Sequence, residues 1–154
     1  MNIPLKRAVS GAIWGVIATV PMSAIMLVGL QLGWMKQPPE LLTEKALARA
    51  DLLEGKPVDA VHAFAVANHL AFGAAGETIY ALLRGVVPTP AAVPMGIAFG
   101  LGIWAVSYRG WIPAMNILPA EQHPGSRGTL VMIAAHAVYG VTLGALDRRP
   151  QPDS

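Results

Sequence analysis

The sequence predicts an all-α membrane protein: four transmembrane helices arranged as two related, parallel-repeat hairpins, with a short amphipathic helix in the first connection. Three observations carry this prediction. Of 154 residues, 54% are hydrophobic and only 13% are charged, against about 25% charged in an ordinary soluble domain. The mean hydropathy is +0.50. Apart from Glu77, the charges fall in segments that flank or separate four apolar runs. At this length the chain is one integral membrane domain.

The first run, residues 8–31, follows Lys6 and Arg7, and no further charge occurs before Lys36. It exceeds the 7–15 residues of a cleavable signal core, so an uncleaved span is expected. Pro21 is expected to kink it at mid-depth. In the connection, Pro38-Pro39-Glu40 is a helix start and Gly55 with Pro57 a stop, which predicts a helix over about 39–54. Glu40, Glu44, Asp51 and Glu54 would share its polar face, and Leu42, Ala46, Ala50 and Leu53 its apolar one, suiting a helix that lies on the bilayer or caps the bundle.

The second run, residues 60–83, carries most of the polar chemistry. Between Asp59 and Arg84 the ionisable groups are His62, His69, Glu77 and Tyr80. Such groups at bilayer depth are costly and must face a partner helix, a cavity or a ligand. At 3.6 residues per turn, His62, His69, Gly73, Gly76 and Tyr80 fall within about 60° of one another, with Glu77 to one side. Residues 91–108 and 128–146 form the third and fourth runs, with the loop 109–127 between them.

The halves echo each other. Gly11-x-x-Trp14-Gly15 is matched by Gly96-x-x-Phe99-Gly100, Gly33-Trp34 by Gly110-Trp111, and His69-x-x-Phe72-Gly73 by His136-x-x-Tyr139-Gly140. Two spans per half make such repeats parallel, related by an axis along the membrane normal. The second and fourth spans then run the same way, with His69 and His136 at similar depth. Gly11, Gly15, Gly73, Gly76, Gly96, Gly100, Gly140 and Gly144 are expected to let helix backbones approach.

Orientation follows from Lys/Arg bias. With four spans, Lys6, Arg7, Arg84, Arg148 and Arg149 share the terminal side with Asp147 and Asp153. The loop side spreads Lys36, Lys45, Arg49, Lys56, Arg109 and Arg127 over longer connections that hold as many acids. Both termini are expected in the cytoplasm.

Several function classes lose support. The chain has no cysteine, which removes disulfides, thiolate metal sites and cysteine nucleophiles. No basic run interleaved with aromatics supports nucleic-acid binding. HExxH, GxSxG, GxxxxGK[ST] and a strand-linked GxGxxG are missing. The expectation is a non-catalytic protein whose partners are the lipid bilayer and further copies of itself or a larger membrane complex. Its intramembrane polar site, of His62, His69, Glu77, Tyr80, His136 and Tyr139, would bind a proton or small ligand without a metal or other cofactor. Two alternatives stand beside it: a haem-binding electron-transfer subunit with His69 and His136 as axial ligands, and a small proton-coupled transporter acting as a dimer.

The stretches GAIWGVIATVPMSA, PPELLTEKALARA, GWIPAMNILP and AAHAVYGVTLGAL together resemble the YagU-like small inner-membrane proteins of bacteria. The resemblance extends over about residues 8–146. It implies four helices in a bacterial cytoplasmic membrane, and it implies no reaction.

Overall fold

Helix formation follows the apolar runs closely. The computed structural model describes residues 3–86, 91–117 and 126–147. Helix α1 spans Ile3–Gln31, α2 Pro39–Arg49, α3 Val58–Val86 and α4 Ala92–Val106; α4 passes into a π turn, Ser107–Trp111, and a last short turn, Ile112–Ala114. Helix α5 spans Arg127–Leu146. Among the described residues there are helices and no strands.

Two segments, Gly11–Gln31 of α1 and Arg127–Leu146, are long and apolar enough to cross a bilayer. The other two expected spans are not, for different reasons. Helix α3 has 29 residues, but Asn68, His69 and Glu77 interrupt its apolar character. Helix α4 has only 15 residues before the π turn.

Local chemistry sets the helix ends. Helix α1 continues through Pro21 and closes at Gly33, whose φ of +67° belongs to the left-handed region. Ser126 caps α5 by accepting the Thr129 amide at 3.1 Å. Helix α2 stops five residues short of the sequence expectation. Ala50 caps it and Asp51 takes φ +56°, so the chain turns before Asp51 and Glu54 can join a helical face. The loop expected from residue 109 starts late: the π turn carries the helix on to Ala114, and Asn116 at φ +55° ends it.

Packing runs in a chain of neighbours. Helix α1 packs along both α3 and α5, α5 packs along α4, and α2 lies against α3. Glycines set the closest approaches. A Cβ on Gly15 would lie 2.7 Å from Ala74 Cα, and one on Gly100 would lie 3.1 Å from the Gly140 amide nitrogen. Gly11 meets α3 at Thr78, Gly73 meets Gly15 and Thr19, and Gly96 and Gly144 lie in the α4–α5 crossing. Gly76 makes room for the Tyr139 hydroxyl and Ile103. Helices α3 and α4 instead meet through side chains, with the Tyr80 and Phe99 rings 5.3 Å apart. The core is rich in methionine, with Met22, Met26, Met35 and Met132 buried around Ala18, Ala135 and Leu143, a composition that fills irregular gaps.

Candidate binding site between two histidines

The loose α3–α4 side leaves a cavity of ≈ 230 Å³ near one end of the helices. His69 and Phe72 of α3 and Met132 and His136 of α5 face it, and Met22 and Met26 of α1 close its inner wall. Thr43 and Leu47 of α2 form part of its roof. The π turn adds Ser107, Tyr108 and Trp111. A π turn widens the helix and is frequent at functional sites; here it brings consecutive residues, Ser107 and Tyr108, to one cavity.

The histidines are held differently. His136 is 5% exposed, and its Nδ1 lies 2.8 Å from Met132 O. A carbonyl only accepts, so Nδ1 carries the proton and, in the neutral ring, Nε2 keeps a lone pair. That bond turns the Nε2 edge away from its own helix. The Tyr108 ring stands edge-on to the imidazole at 6.3 Å. His69 is half-buried, with Nε2 3.4 Å from Ser23 Oγ of α1. A second, smaller space of ≈ 30 Å³ adjoins both imidazoles together with Thr19, Gly73 and Tyr139.

The remaining expected residues are placed as follows. The Tyr139 hydroxyl, on a residue 2% exposed, donates to Gly73 O at 2.7 Å and so ties α5 to α3. Tyr80, 1% exposed, donates to Ala92 O at 3.1 Å and ties α3 to the start of α4. Glu77 is 6% exposed, and its Oε2 is buried without a hydrogen-bond partner. It packs against Gly15 of α1 rather than lining the cavity. His62 does not join the group: it is exposed and lies beside Val58 and Asp59 at the start of α3. Its angular position on α3 is compatible with the others, but it sits two turns too early along the helix.

Sequence reasoning missed the roof and the π turn. Glu40, assigned there to the solvated face of α2, is half-buried, and its Oε2 is buried without a partner. Thr43, Leu47, Ser107, Tyr108 and Trp111 were not singled out for binding. Trp111 carried a signal in the repeated Gly-Trp pair; for the others, 3.6-residue periodicity contains none. Among the described residues no group of three or more His, Asp or Glu side chains is placed to hold a metal ion.

Among the described residues, fold and site define an all-helical protein with two membrane-length apolar helices and a pocket lined by two histidines. The chain belongs to the family of unknown function DUF6789, whose model matches residues 5–153. No curated protein and no solved structure matches it.

Proposed function

We propose that this is a multi-pass membrane protein of the bacterial cytoplasmic membrane, similar to the YagU-like group, that holds a small molecule between His69 and His136 and catalyses no reaction. The observation that carries the reading is the convergence of two histidines, from two different helices, on one cavity whose walls are mostly apolar and aromatic, with Thr43, Asn68 and Ser107 as further polar groups. Pockets of this kind, mostly apolar with a few fixed polar groups, are the usual form of small-molecule sites.

Four spans are supported by the outer surface. Ile13, Val16, Ile17 and Val20 of α1 and Phe64, Ile79 and Leu82 of α3 are exposed, as suits contact with lipid. The continuous helical path from Ala92 to Ala114, at about 1.5 Å per residue, reaches the roughly 30 Å of a bilayer core. The repeat is supported by equivalent crossings, Gly15 at Gly73 and Gly100 at Gly140. The basic termini then lie in the cytoplasm. The haem alternative is disfavoured by room. The ≈ 230 Å³ cavity suits a small ligand rather than a macrocycle, and the ≈ 30 Å³ space beside both rings suits about one water.

Native mass spectrometry of protein gently extracted from its host tests the reading. The wild type should carry a small bound mass that is lost in His136→Phe, where a larger apolar ring fills the site. Identical bare masses for the two proteins would contradict it.

A further inference from the structure

We propose, resting on the reading of the His69–His136 cavity as a binding site, that its ligand is a small organic cation: a protonated amine on an aromatic or short aliphatic body.

The charge complement comes from α2. Glu40, Thr43 and Leu47 fall at i, i+3 and i+7, on one face of the helix, and Thr43 and Leu47 are part of the cavity roof. Glu40 stands one turn before Thr43, beside the lining rather than in it, and close enough for its charge to act on His69. An acid in the first turn of a helix complements the helix dipole. That accounts for a glutamate at this position, but not for a carboxylate oxygen that is buried and without a hydrogen-bond partner. A buried carboxylate oxygen without a donor is costly, and a ligand donor would remove that cost.

Among the described residues, the cavity lining holds hydroxyls that can donate or accept, at Thr43, Ser107 and Tyr108, and no lysine or arginine. The neutral His136 ring presents Nε2 with a lone pair, because Nδ1 is committed to Met132 O. Lys45, on the same helix as Glu40, is committed to Gln37 Oε1 at 2.7 Å. A ligand that only accepts hydrogen bonds would leave His136 Nε2 and the Glu40 oxygen unanswered. A donor satisfies them, and a positively charged donor also answers the carboxylate.

The walls favour an organic cation over an inorganic one. Phe72 and Trp111 lie with ring centroids 6.3 Å apart and planes inclined by 50°, and Tyr108 stands beside His136. Aromatic faces attract ammonium groups through the ring quadrupole, and Met22, Met26 and Met132 accommodate an apolar body. A bare metal ion finds no set of three ligating side chains among the described residues.

The test compares phenethylamine, protonated at neutral pH, with 2-phenylethanol, its neutral counterpart of similar size. Binding is measured by calorimetry on the full chain in nanodiscs of uncharged lipid. The wild type should bind the amine at least about tenfold more tightly than the alcohol. Glu40→Gln should lose that preference, whereas Glu44→Gln should keep it. Equal affinity for the two probes, or a preference unchanged in Glu40→Gln, would overturn the cation assignment while leaving the site in place. If neither probe binds but the native mass spectrum carries a bound small molecule, the ligand class is wrong and the site stands. If that spectrum is bare as well, both readings fall. The wild-type comparison needs no variant to fold.

Discussion

At the scale of single residues, the glycines of the two crossings bear the closest contacts. A Cβ on Gly140 would sit 2.8 Å from Ile97 Cα and closer still to the Gly96 backbone. Gly140→Ala should therefore cost about 1–3 kcal/mol, the usual range for overpacking, measured by unfolding in mild detergent. Gly102, also within α4, has nothing within 4 Å of a built Cβ. Gly102→Ala should be neutral or stabilising by up to about 1 kcal/mol through helix propensity. Glu77 has a different constraint, a buried carboxyl beside Gly15 with one oxygen unpartnered. Glu77→Gln keeps the shape without an ionisable group and should leave the melting temperature in detergent unchanged or raised. Glu77→Lys should prevent a folded, monodisperse protein, since a longer cationic chain has no partner there. A lower melting point for Glu77→Gln would show that the ionisable carboxyl supports the fold. His69, His136 and Tyr139, which border one small space, stand out in the sequence through the matched spacing His-x-x-Phe-Gly and His-x-x-Tyr-Gly. Glu40 does not, because a face assigned by counting charges puts every acid on the water side.

At the scale of elements, the four apolar runs were legible and their ends were less so. Charge-free stretches define helices whatever their packing, hence the agreement for α1 and α5. The end of α2 depended on Asp51 adopting a left-handed conformation, which aspartate tolerates but composition does not announce. The π turn after Val106 has no periodic signature, so the helical path beyond residue 108 was read as loop. Helices α3 and α5 are joined at their ends by Arg84 and Asp147, whose Nε–Oδ2 separation is 2.5 Å. Both side chains are about one-fifth exposed, so the pair should contribute only about 1 kcal/mol. Asp147→Asn should lower stability by that amount at low salt and by less at high salt, measured by thermal unfolding. An undiminished effect in high salt would show that the contact acts through packing.

At the scale of the whole molecule, the uneven packing of the helices creates the candidate site. Matching hairpins would make the α1–α5 and α3–α4 sides alike, yet α1 packs along α5 while α3 and α4 scarcely touch. Gly29 gives Val131 room on the tight side. On the loose side the Phe72–Trp111 and Tyr80–Phe99 ring pairs hold the helices apart, with the cavity beneath α2. The apolar runs were legible in the sequence and the uneven packing was not, because it depends on which side chains occupy the gap rather than on where the helices lie. The whole account rests on a chain that crosses the bilayer four times around this pocket. Its cysteine-free sequence makes one measurement direct: labelling of single cysteines by a membrane-impermeant maleimide in sealed vesicles. Ala71→Cys on α3 and Ala98→Cys on α4 both lie at exposed positions that four spans would place in lipid. The account predicts that both stay unlabelled until the vesicles are dissolved and the protein denatured, as Val20→Cys on α1 should. Ready labelling at residues 71 and 98 in intact vesicles, with residue 20 protected, would contradict it and place α3 and α4 outside the membrane.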